Sequence, residues 1–190
     1  MTVFLRSLAV IAALTFAPLA SAQQVEEIFG LSATRLQDPR DQALGCSLQF
    51  KIMHSGEADV PPAAVSGSIA TYMADDRLPG FLIKIAYIAP PGVFVPPTEA
   101  FLVNEDGSTT KSALLRRSVS DTGKHALFNF RDSEEGLRAI GRLANVGIAR
   151  LRVRTPDGAE SVWGIDLISK SDVQRSWADC LAEQGFPIRD

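Results

Sequence analysis

The chain has 190 residues, 46% of them hydrophobic, and its 19 basic and 22 acidic side chains give a formal net charge of -3. That length suits one domain whose core is large enough to be stable without metals or dense disulfides. The mild acidity, with a longest basic run of only Arg116-Arg117, leaves no electrostatic footprint for nucleic acid.

The first residues read as an export signal. Arg6 supplies a positive start, residues 8–19 form an apolar stretch too short to span a bilayer, and Ala20-Ser21-Ala22 has the small-x-small pattern of a signal-peptidase site. Pro18 breaks the run further, which argues against a retained anchor. The expectation is a signal peptide over 1–22 and a single exported β-rich domain over 23–190. No cysteine opens the mature chain, so lipid attachment there is excluded. Export places the protein in the periplasm or outside the cell. Further on, the apolar stretch 80–89 is interrupted by Lys84 and ended by Pro90-Pro91, so the mature form is not expected to span a membrane as a helix.

Residues 46–54 predict a half-buried strand, with Cys46, Leu48, Phe50 and Ile52 alternating against Ser47, Gln49, Lys51 and Met53. A weaker strand follows over 65–73, and 80–89 (GFLIKIAYIA) looks like a central one. Val93-Phe94-Val95, enclosed by two proline pairs, belongs at a sheet edge, because proline lacks a ladder donor. It is expected either as an apolar tip or, more in line with its composition, as a core plug. Asp106-Gly107 is a strong turn pair, and predicts a hairpin between 100–103 and 111–115.

After a strand over 126–130, Asp132 can cap a helix in which Glu135 completes a capping box and Leu137, Ile140, Leu143 and Ala144 share a face. Residues 148–154 then alternate Arg150, Arg152 and Arg154 against Ala149, Leu151 and Val153. The next strand, 160–168, turns Trp163, Ile165 and Leu167 inward. Ser171 caps a last helix whose stripe of Val173, Trp177, Cys180 and Leu181 buries Cys180.

Only two cysteines are present, and in an oxidising compartment an even count favours a Cys46–Cys180 disulfide. Catalytic signatures are sparse. His54 and His125 are the only imidazoles; His54 precedes Glu57 and Asp59, but at no recognised metal-ligand spacing. No Gly-x-Ser-x-Gly elbow and no Gly-rich phosphate loop occurs. Asp75-Asp76 and Glu134-Glu135 fall at a turn and a helix start, where negative charge has structural reasons. The arginine ladder Arg150, Arg152 and Arg154 is the candidate partner-binding face, suited to an acidic partner or to lipid headgroups; a solvated face opposite neighbouring carboxylates is the plainer reading.

An apolar strand runs into Pro91-Gly92-Val93, with Pro96-Pro97 soon after. The 104–107 turn, the helix around Leu137 and Leu143 and the strand from Val162 to Ile168 leading to a terminal amphipathic helix complete an order that resembles the invasion-associated locus B family of exported alphaproteobacterial proteins. The resemblance covers roughly the last 100 residues. It implies a β-rich periplasmic protein without known enzymatic activity, acting at the host or envelope interface.

The expected fold is all-β dominated: a β-sandwich or partly closed barrel of about seven to nine strands with two short packed helices. The expected function is an exported, non-enzymatic binding or envelope-associated protein that needs no cofactor. The alternative is a periplasmic hydrolase or metal-dependent enzyme using His54 or His125. Ligand and oligomeric state stay open.

Overall fold

The computed structural model describes residues 26–37, 43–54, 62–74, 78–131 and 134–186. The expected signal peptide, Glu57 and Asp59 after His54, the Asp75-Asp76 pair and the Asp132 cap lie outside the described residues. In chain order the elements are β1 (Glu26–Gln37), β2 (Ala43–His54), β3 (Ala63–Met73), β4 (Pro79–Ala89), β5 (Val93–Val95), β6 (Glu99–Val103), β7 (Leu114–Val119) and β8 (Ala126–Arg131). Helix α1 (Glu134–Asn145), β9 (Ile148–Arg154), β10 (Glu160–Asp166) and α2 (Ser171–Glu183) follow.

The fold is a β-dominated two-layer sandwich. One layer is a seven-stranded antiparallel sheet in the order β1-β2-β3-β4-β8-β7, with β5 pairing the far end of β4; the other contains the three-stranded antiparallel sheet β10-β9-β6. Among the described residues the large sheet does not close into a barrel: β1 and β7 are its edges. Helix α1 packs against β9 and α2, and α2 against β1 and β2, so both helices extend the second layer.

Period-two alternation decides which face of each strand is dry. On the inner face of the large sheet, Cys46, Leu48, Phe50 and Ile52 of β2, Ile69 of β3, Phe81, Ile83 and Ile85 of β4 and Phe128 and Phe130 of β8 are all buried. Leu102, Leu151, Val153, Trp163 and Ile165 meet them from the small sheet, and Ile140, Leu143, Trp177 and Leu181 from the helices, in one contiguous core. Phe81 and Phe130 are direct cross-strand partners and stack with ring centroids 4.7 Å apart.

Several sequence expectations change. β1 was not anticipated: Gly30 and the register shift between Ile28 and Gly30 break the alternation that would have announced it. With it the strands number ten among the described residues. The hairpin expected across Asp106-Gly107 is not formed. The turn itself exists, with the Gly107 N–H on the Asn104 carbonyl at 3.1 Å, but β6 pairs with β9 and β7 with β8, so the connection crosses from one sheet to the other. Its chemistry explains the departure: Asp106 accepts the Ser108 N–H at 2.9 Å, and the Thr110 hydroxyl accepts the Leu102 N–H at 3.0 Å, taking a strand partner's place. Ser171 starts α2, but no side-chain hydrogen bond caps it. The 93–95 segment is not a core plug; Val93 is 56% and Phe94 39% exposed.

Candidate functional site

The arginines of β9 stand on the outward face of the small sheet in three different environments. Arg154 lies between Glu99 and Glu160 in register and pairs with both, donating to Glu160 through Nε at 2.9 Å and also through Nη2. This hydrogen bond, then the charges of Glu160 and Glu99, hold the guanidinium above its ordinary pKa, and the same contact holds Glu160 below the usual carboxylate value. Arg152 rests over the Phe101 ring, 5.8 Å from its centroid, and Lys111 Nζ is also 5.8 Å from the same centroid. Arg150 lines a cleft of about 250 Å³ shared with Asn104, Arg142 and Ile148. Arg142 in that cleft is already paired with Glu105. Of the ladder, Arg154 is matched by carboxylates on both neighbouring strands.

The two histidines lie on opposite faces of the large sheet and cannot share a site. His54 continues the inner row of β2 and packs on Trp163, with ring centroids 4.1 Å apart. His125 precedes β8 beside Phe94, whose ring centroid is 6.0 Å away. Its neighbours are cations: burial first, then the charges of Lys84 and Lys124, hold the imidazole below its ordinary value of 6.5. Among the described residues no three His, Cys, Asp or Glu side chains cluster to hold a metal. Cys46 on β2 and Cys180 on α2 are brought to disulfide distance, with Cα atoms 6.0 Å apart.

The outer face of the large sheet carries a feature that linear reading missed. Strand register places Lys51, Ser66 and Ala86 in one row, Gln49, Ser68, Lys84, Leu127 and Ser118 in the next, and Ser47, Ala70, Leu82, Asn129 and Arg116 in the third. Lys51, Lys84 and Arg116 thus form a diagonal, each step crossing two strands and one row. Standard strand spacings put the steps at roughly 12 Å. All three are exposed, and between Gly30 and Leu36 on β1 and across β2, β3, β4, β8 and β7 this face has no described carboxylate.

Among the described residues, five cations elsewhere on the surface are paired, while Arg150, Arg152, Lys124, Lys170 and Arg175 have no ion pair with a described carboxylate. Arg35, Lys111, Arg138, Arg142 and Arg154 each have an acidic partner, and all of them belong to the helical and small-sheet side. Lys51, Lys84 and Arg116 have no ion pair with a described carboxylate. Arg117, adjacent to Arg116 in sequence, turns the other way and donates to the Pro97 carbonyl through Nε at 3.2 Å and Nη2 at 2.8 Å. Sequence reading treated the two as one basic run; the alternation of β7 separates them.

At the upper end of this face the β4–β5 hairpin projects. Pro90, Pro91, Gly92, Val93 and Phe94 are all exposed, and the Gly92 N–H closes the turn on the Ala89 carbonyl at 2.7 Å. Phe94 pairs with Ile88, which puts it on the outer face with Lys84. Lys124 Nζ sits 5.4 Å from the Phe94 ring centroid.

Compared with family models, curated proteins and solved structures, the chain matches none. The geometry above therefore carries the functional reading.

Proposed function

We propose that this is an exported, envelope-associated binding protein without a catalytic step, and that its ligand is anionic and meets the outer face of the large sheet. The observation that carries the reading is the diagonal of Lys51, Lys84 and Arg116, three exposed cations without acidic partners among the described residues, in a chain whose net charge is negative. Unmatched charge of one sign on a broad face attracts the opposite sign and steers encounter. The hydroxyl and amide groups interleaved with it, Gln49, Ser66, Ser68 and Asn129, add hydrogen-bond capacity without competing charge. Export is supported by the signal-like start and by the resemblance to the invasion-associated locus B family. The β9 ladder serves this reading less well, because Arg154 is neutralised in place.

Retention on a dextran sulfate resin tests the face. Lys51→Glu, Lys84→Glu and Arg116→Glu together should elute the protein at much lower salt, while Arg154→Gln should leave retention unchanged. A triple variant eluting with the parent would remove the face from consideration. The export half is checked by fractionating the producing cell and sequencing the amino terminus, which should begin at Gln23. An intact Met1 in the cytoplasm would overturn it.

A further inference from the structure

The β4–β5 tip has a composition that an anionic ligand in solution would not require. From Ile88 to Thr98 eleven consecutive residues carry no charge, yet the tip they form is exposed, with Val93 at 56% and Phe94 at 39%. Cations stand directly behind it, Lys124 over the Phe94 ring and Lys84 on the same sheet face, with the His125 ring beside Phe94. Apolar residues at a projecting point with basic residues one step back match the depth profile of a lipid interface, where acyl chains lie beneath phosphates.

We propose that this tip seats the protein on an anionic bilayer surface, with Val93 and Phe94 entering the headgroup–acyl boundary and Lys124, Lys84 and Lys51 meeting lipid phosphates. The inference rests on the anionic-ligand reading of the outer face and names the ligand's form. An extended protein partner fits the tip poorly: β5 has three residues, is bounded by proline pairs that cannot donate to a ladder, and so offers no edge for strand addition. A soluble polyanion would use the cations but gain nothing from Val93 and Phe94.

Co-sedimentation of the exported form with vesicles tests the proposal, using equal phosphatidylglycerol and phosphatidylcholine in one set and phosphatidylcholine alone in the other. Binding is expected to the anionic vesicles only. Val93→Ser with Phe94→Ser should weaken it about tenfold, and Lys84→Gln or Lys124→Gln by roughly fivefold each, with dextran sulfate retention unaffected by the serine pair. Because both apolar side chains are exposed, the serine variant should keep the parent's circular dichroism. As a second readout, Phe94→Trp should give a blue shift in emission when anionic vesicles are added, against the constant background of buried Trp163 and Trp177. Vesicle binding that survives the serine pair, or no emission shift in Phe94→Trp, overturns the proposal. Retention on dextran sulfate without any vesicle binding overturns it while leaving the anionic-ligand reading standing, and failure of both assays removes both.

Discussion

The ring of Tyr72 lies across Gly80, its direct partner on the neighbouring strand, so closely that a Cβ on residue 80 would come within 2.5 Å of Tyr72 Cζ. The bare glycine lets the tyrosine cross β4 and donate its hydroxyl to Asn129 Oδ1 on β8. Three strands are thereby tied by one side chain, with the aromatic surface covering backbone that glycine leaves open. Gly80→Ala must push the ring aside and also lose that hydrogen bond, and we expect a cost of about 2–4 kcal/mol in urea unfolding. Tyr72→Phe keeps the ring over Gly80 and should cost only about 1 kcal/mol. Equal losses from the two variants would mean that the hydroxyl, not the close approach, is what matters.

Cys180 on the terminal helix and Cys46 on the second strand stand at disulfide distance across a sequence separation of 134. Both are buried, in a layer where Trp177 and Leu181 already hold α2 to the sheet. We expect the protein purified without reductant to contain no free thiol when titrated under denaturing conditions. Cys46→Ala with Cys180→Ala should lower the melting temperature by roughly 5–15 °C, as a loss of about 2–4 kcal/mol would in a domain of this size. Two reactive thiols per chain would show that the pair is unbonded in the cell.

Most strands and both helices after residue 46 were legible because their alternation is driven by a single buried face, as in Ala149, Leu151 and Val153 against Arg150, Arg152 and Arg154; the strand expected over 111–115 was not, since Thr110–Ala113 forms a 3-10 turn and β7 runs Leu114–Val119. Pairing was not legible. Asp106-Gly107 announces a turn, but whether the flanking strands meet depends on which other edges are available, and the β9 edge took β6. The cationic face was hidden for the same reason. Lys51 and Lys84 were visible as the polar members of apolar strands and Arg116 as half of a basic pair, but they become a line only once β2, β4 and β7 take their places in the sheet. The arginine ladder had the opposite problem, since a row along one strand is obvious in sequence while the Glu99 and Glu160 that answer Arg154 come from separate strands.

That contrast separates two kinds of basic residue by experiment. Arg154 is bound to carboxylates that would be left facing each other if it were removed, whereas Arg150 has no ion pair with a described residue. Arg154→Gln should therefore release Glu160 toward the ordinary carboxylate pKa, an upward shift that NMR titration of the side-chain carboxyl can follow. Arg150→Gln should leave Glu160 where it is. A Glu160 titration unmoved by loss of Arg154 would show that the pair does not persist in solution.

His125 provides a test that couples the face to its ligand. Burial, Lys84 on β4 and Lys124 on its own turn hold the imidazole below 6.5; the Phe94 ring of β5 lies beside it, and the Ser120 hydroxyl accepts the backbone N–H of His125 at 3.2 Å. Since the folded value lies below the unfolded one, the unfolded chain takes up the proton first as pH falls. The stability associated with the neutral ring is thus present above 6.5 and is lost as pH drops through the folded pKa. An anion bound beside Lys84 and Lys124 cancels part of their field and raises the His125 pKa, so binding must be accompanied by proton uptake. Retention on dextran sulfate should strengthen from pH 7.5 to 5.5, and calorimetry in buffers of different ionisation enthalpy should register protons entering the complex near pH 6. His125→Gln should flatten both effects while keeping the retention seen at pH 7.5. A pH trend unchanged in that variant would place the ligand away from this end of the sheet.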